Sequence, residues 1–174
     1  MRVWVLLTAI CGGLIVSGGT MAAEVTYSDT HGSHCRQLVE HSELSTYTCR
    51  CPKGRSLTVF DAGMIGGLTH GSGPEAQKWQ PATRITGDGI GKKVEWRSVA
   101  GVPYAAIHRV HTPRGSVLVI THLSVAGGCH VGYVDGALPA ANARAAAIAD
   151  ASRDRFRCGT DKAETVGRKL YDAD

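Results

Sequence analysis

Across residues 94–123, VEWRSVAGVPYAAIHRVHTPRGSVLVITHL, apolar and polar side chains alternate with a period of two, and turn residues break the alternation twice. That period belongs to strands with one buried face. The breaks fall at Ala100-Gly101 and at Thr112 to Gly115, where Pro113 and Gly115 take the second and fourth positions of a type I turn. Three antiparallel strands are therefore predicted. If Thr112 pairs with Gly115, then His111 faces Ser116 and His122 faces Ala105, which holds these two histidines roughly 20 Å apart along the sheet. The run Val117 to Ile120 is apolar on both alternations and reads as a central strand. SLTVFDAG from Ser56, MIGGLTHG from Met64 and CHVGYVDG from Cys129 read as further strands.

One stretch changes period. From Pro139 to Arg157, Ala141, Ala145, Ile148, Ser152 and Phe156 recur on one helical face, with Arg144, Asp150, Arg153 and Asp154 mostly elsewhere. Pro139 suits a first helical turn, and the alanine-rich face predicts close packing on a sheet. The fold expected is α+β: an antiparallel sheet of six to eight strands, with one long C-terminal helix over 139–157 packed on a face and disulfides stapling the whole. Residues 24–160 form a single domain on this reading, and 161–174 a flexible tail with little to bury. Residues 1–23 have the anatomy of a signal peptide: Arg2, an apolar stretch from Val3 to Val16, and a small-residue run favouring cleavage after Ala22 or Ala23. The apolar stretch falls short of a bilayer span, so a secreted or periplasmic protein without stable membrane insertion is expected.

The chain carries 19 Lys and Arg against 15 Asp and Glu. The excess is small and scattered, which argues against nucleic acid as a partner. Of six cysteines, Cys11 lies in the leader and Cys35, Cys49, Cys51, Cys129 and Cys158 follow it. An odd number in an oxidising compartment leaves one outside the bridges. A strand from Cys129 to Asp135 covers about 20 Å and a fifteen-residue helix returns about 22 Å, so Cys129 is predicted to pair with Cys158. Cys35 is expected to pair with Cys49 or Cys51.

The segment THGSHCRQLVEHSELSTYTCRC concentrates His31, His34, Cys35, His41, Cys49 and Cys51. A metal site formed by His31, His34, Cys49 and Cys51 is the alternative to a disulfide staple, but no pair has a recognised ligand spacing. No metal or cofactor is the favoured expectation. SHCR resembles the SHGC signature of L,D-transpeptidases, which would give Cys35 a nucleophile's role, although the glycine is missing and few residues precede it. TGDGIGKK departs from a phosphate loop in having Thr86 at the first glycine, Lys93 at the hydroxyl position and a strand after it. His108, His111, His122 and His130 read as ordinary strand residues.

Residues 94–161, above all GVPYAAIHRV, VLVITHL, CHVGYVDG and ANARAAAIADASRDRFRCG, resemble a group of small secreted bacterial proteins of uncharacterised function. YTCRCPKGRSLTVFDAG is similar to the opening of the C-type lysozyme inhibitors; their later Ser-Gly-x-x-Tyr loop has a loose echo in AGVPY, with Ala100 in the serine's place. Neither resemblance implies catalytic residues. The function expected is non-enzymatic binding of a secreted or envelope protein, or of an anionic envelope polymer, with a metal-binding or thiol-active periplasmic protein as the alternative and an enzyme of unrecognised type as the third. The candidate contact surface is the Gly/Pro-rich stretch 70–93, carrying Trp79, Arg84, Lys92 and Lys93. Exposed, Trp79 would anchor a partner; buried, it would pin the loop to the sheet.

Overall fold

A computed structural model of the chain describes residues 22–41, 44–51, 56–62, 65–70, 83–86, 89–124 and 127–171. Residues 1–21, most of the expected leader, and Trp79 lie outside the described residues. Eleven strands and one helix follow in the order β1 (Glu24–Asp29), β2 (Cys35–His41), β3 (Leu44–Arg50), β4 (Ser56–Ala62), β5 (Ile65–His70), β6 (Thr83–Thr86), β7 (Gly89–Val99), β8 (Val102–Thr112), β9 (Gly115–Ser124), β10 (Gly127–Asp135), α1 (Ala141–Ser152) and β11 (Glu164–Val166).

The strands form two sheets rather than the single one expected. A six-stranded sheet has the order β1-β7-β8-β9-β10-β11, and a five-stranded sheet is the meander β2-β3-β4-β5-β6. The reason lies in face chemistry. The central strands are apolar on both sides, so each side needs a cover. On one side Ala105, Ile107, Leu118, Ile120, Val131 and Val134 pack under Ala141, Ala145 and Ala149 of α1. On the other, Val94, Trp96, Ala106 and Leu123 pack against Cys49, Leu57 and Val59 of the five-stranded sheet. The largest fully buried side chain among the described residues is Trp96, whose indole N–H donates to Ser28 Oγ at 2.7 Å and so satisfies its one polar atom.

The β7-β8-β9 meander follows the alternation read from the sequence, with Thr112 paired to Gly115, His111 to Ser116 and Ala105 to His122. At the first turn Ala100 and Gly101 both have positive φ, 48° and 70°, the pattern of a type I′ hairpin. The helix is shorter than expected, 141–152 instead of 139–157. Ala140 at its N-cap has φ 55° with no side-chain cap, so Pro139 precedes the helix, and the chain turns out of it just after Ser152. Gly132 lets α1 approach: a Cβ there would lie 2.9 Å from Ile148 Cγ2.

The loose tail is corrected too. Glu164–Val166 pairs in parallel with Gly132–Val134, and Leu170 and Tyr171 bury against Val110, Val117 and Val119. Arg168 donates from Nε to Asp135 Oδ2 at 2.6 Å and from Nη2 to Oδ1 at 3.1 Å. The tail thus supplies a strand, two buried apolar side chains and a counter-charge for the buried Asp135.

Both bridges form as expected where the sequence left a choice or made one: Cys129–Cys158, and Cys35–Cys49. Cys35 and Cys49 face each other directly across the β2·β3 ladder. Cys51 lies outside both bridges, with its Sγ 3.6 Å from the Cys49 carbonyl.

Candidate functional site

Helix α1 lies over β8, β9 and β10. Among the described residues, the β1-β7 half of the same face has no such cover. Arg97 pairs with Ala105, which lies under the helix, and with Val25 of β1. Side chains alternate along a strand, so Val25, Tyr27 and Asp29 share this face with Lys93, Glu95, Arg97 and Val99. Val102, opposite Val99, closes the strip at the hairpin end. Among the described residues, the large apolar side chains left exposed are Val25 (43%), Tyr27 (60%) and Val102 (64%). All three stand on this strip.

The floor beneath them is held rigid by charge. Arg97, only 8% exposed, donates from Nε and Nη2 to the two carboxylate oxygens of Asp150 at 2.6 and 2.7 Å, and from Nη1 to Glu95 at 2.8 Å. Tyr104 O–H donates to the same Asp150 at 2.5 Å, and the Arg153 guanidinium lies 5.7 Å from the centre of the Tyr104 ring. Burial pushes the Asp150 carboxyl up, but the hydrogen bonds from Arg97 and Tyr104 outweigh it and hold Asp150 ionised. The charge on Glu95 keeps the Tyr27 phenol protonated beyond its usual range, and its carboxylate accepts from that phenol at 3.3 Å. Lys93 donates to Asp29 at 2.8 Å at the far end. Arg97 is shared by Asp150 and Glu95, and Lys93 faces Asp29, so the strip has aromatic and aliphatic contact groups on a base held by hydrogen-bonded charges.

The sequence-derived candidates are scattered. His31 and His34 are exposed, and His31 Nδ1 lies 2.6 Å from Thr30 Oγ1. Cys49 is bonded to Cys35, which removes it from the four-ligand set and removes Cys35 as a nucleophile. Among the described residues no three His, Cys, Asp or Glu side chains gather as a metal site. The stretch 70–93 is only partly loop: Arg84 sits in β6, paired with Gly67 in one sheet, whereas Lys92 and Lys93 belong to β7 of the other. Lys93 is the one candidate that falls on the strip. His130 is buried with Nδ1 2.8 Å from Tyr133 Oη, and burial pushes its pKa down to about 4. It is a neutral core residue. A shallow cleft of about 250 Å³ between α1 and the segment after it is lined by Val131, Ile148, Phe156, Asp161, Lys162 and Glu164; Asp161 is already paired with Arg157.

Sequence reasoning passed over β1 because EVTYSD directly follows the leader. Its alternation of Val25 and Tyr27 with Glu24, Thr26 and Ser28 was the available signal. Comparisons with protein-family models, with curated proteins and with solved structures found no match.

Proposed function

We propose that this chain is a secreted or periplasmic protein without enzymatic activity that binds another protein through the uncovered half of its larger sheet. One observation carries the reading: Val25 and Tyr27 on β1 and Val102 on β8 are exposed on one face, on either side of β7, whose Arg97 and Glu95 belong to the Arg97–Asp150–Tyr104–Glu95 network. Exposed apolar and aromatic side chains that flank a fixed row of charges suit a protein surface. They suit an anionic polymer less well, because Lys93 is already neutralised by Asp29. The two disulfides agree with an oxidising compartment, and among the described residues no helix is long and apolar enough to cross a membrane.

A photo-crosslinker at Val102, introduced into the protein in its native compartment, tests the reading. A discrete cross-linked partner is expected from position 102 and from no crosslinker at Ala147, which is exposed on the outer side of α1. Tyr27→Ser should weaken that cross-link without lowering the melting temperature. Equal labelling from 102 and 147, or none from either, would count against the reading.

A further inference from the structure

β1 is the outermost strand of the six-stranded sheet, and its ladder partner is β7. The phase of that ladder decides which main-chain groups are left over. Thr30 N–H donates to Lys92 O at 3.0 Å, and the pairing from Glu24↔Ser98 to Asp29↔Lys93 runs without a bulge. Hydrogen-bonded and non-hydrogen-bonded pairs alternate in an antiparallel ladder. Glu24, Thr26, Ser28 and Thr30 therefore turn their N–H and C=O groups toward β7, and Val25, Tyr27 and Asp29 turn theirs outward, the Asp29 carbonyl lying 3.9 Å from Cys35 Sγ. The edge so formed has no proline and no bulge, and its charges stand only at its ends, so the usual protections of an edge strand are missing from its middle.

We propose that this edge pairs with the same edge of a second copy of the chain, antiparallel about a two-fold axis at Thr26, joining two six-stranded sheets into one. Two requirements choose the register. Outward-turned residues must oppose one another to exchange hydrogen bonds, and side chains must stay on their own face. Centring the axis on Thr26 meets both and sets Val25 against the partner's Tyr27, twice, each an aliphatic–aromatic pair of the kind that stabilises sheets. Glu24 then faces the partner's Ser28, and Ala23 faces the partner's Asp29. No like charges meet. With the leader cleaved after Ala22, one of the two sites the sequence favours, the new α-ammonium of Ala23 stands opposite that Asp29 carboxylate and shares it with Lys93. Centring on Tyr27 instead would set Val25 against a carboxylate. The inference rests on the main-chain edge and not on the partner reading above; self-pairing would double the width of the exposed strip.

The two-fold axis supplies a specific test. Thr26 and the partner's Thr26 form a non-hydrogen-bonded pair with Cα atoms about 4.5 Å apart, within reach of a disulfide, and Thr26 is exposed. Mild oxidation of the Thr26→Cys protein should give a covalent dimer whose peptide map contains a 26–26 bridge, formed at least about tenfold faster than any 27–27 bridge in Tyr27→Cys. Val25→Pro removes an outward N–H and leaves the β7 ladder intact. It should keep the far-ultraviolet spectrum and melting temperature while weakening self-association in sedimentation velocity by at least about tenfold. A protein that sediments as a monomer at every concentration overturns the proposal, as does a 27–27 bridge that forms faster than 26–26. Sedimentation of the purified protein, with no other protein present, tests the pairing alone, and the Val102 cross-link in the native compartment tests the partner reading alone, so failure of either is distinguishable from failure of the other.

Discussion

Arg97 grips Asp150 with two parallel N–H donors, Nε to Oδ1 at 2.6 Å and Nη2 to Oδ2 at 2.7 Å, and so ties β7 to the last turn of α1. The contact spans the border between the covered and uncovered halves of the sheet. Arg97 is 8% exposed, and removing its counter-charge would leave a largely buried guanidinium with Glu95 alone. Breaking a fully buried pair costs roughly 3–5 kcal/mol. The Asp150 side chain is 45% exposed, so water screens part of the loss.

Asp150→Asn is accordingly expected to destabilise the fold by about 2 kcal/mol in urea titration. Asp154→Asn, whose carboxylate is 72% exposed beside Arg153, should change stability by less than about 0.5 kcal/mol. Equal effects from the two would remove Arg97–Asp150 as the clamp on α1.

His130 makes stability depend on pH in the mildly acid range. Burial lowers its folded pKa to about 4, whereas the unfolded chain protonates near 6.5. Between those values the unfolded state holds the extra proton, so the contribution is complete above pH ~6.5 and is lost as pH falls toward ~4. The loss between pH 7.5 and 5 is expected to be about 2 kcal/mol. His130→Phe, which can keep the ring packing with Tyr133 and Tyr171, should flatten that part of the profile. An unchanged slope in the variant would place the pH dependence elsewhere.

The docking of the tail rests on Asp135, whose carboxyl is held well below its usual range by the Arg168 guanidinium and then by the Ala137 N–H. Arg168→Ala should raise amide exchange in Glu164–Val166 selectively and speed proteolysis after residue 160, while exchange in β8 and β9 stays slow. Uniform acceleration throughout the molecule would mean that the pair supports the whole fold and not the tail.

Much of the larger sheet was legible because its signals are local. The alternation in 94–123 sets three strands and their register; the Cys129–Cys158 bridge forms as expected, although the helix stops at Ser152 and a turn segment, not a fifteen-residue helix, carries the chain back to Cys158. What the sequence hid depends on long-range pairing. β1 and β7 meet across more than sixty residues, and nothing in EVTYSD says which strand it joins. The division into two sheets is likewise a property of faces that meet only in space. The tail was misread because three short residues, Glu164, Thr165 and Val166, carry almost no periodicity; their strand exists only because Gly132–Val134 offers an edge. Loop composition draws attention to 70–93, much of which lies outside the described residues, whereas Val25, Tyr27 and Val102 are brought to one face only by strand order.

The β7-β8 hairpin gives a last prediction. Ala100 holds φ at 48° beside Gly101 at 70°, because a two-residue hairpin of type I′ needs positive φ at both central positions to match the twist of its strands. Gly101 adopts this without steric cost, whereas the Cβ of Ala100 crowds the following carbonyl, a penalty of roughly 1–2 kcal/mol relative to right-handed backbone. Asn at the first position carries less of that penalty because its side chain bonds locally. Ala100 is exposed, so a larger polar side chain has room. Ala100→Asn is expected to raise stability by about 0.5–1 kcal/mol, read as a shift of the urea midpoint with unchanged slope. A fall in the midpoint would show that the turn does not hold its left-handed geometry in solution and that Val102, which the turn presents at the end of the exposed strip, is positioned by something other than the hairpin.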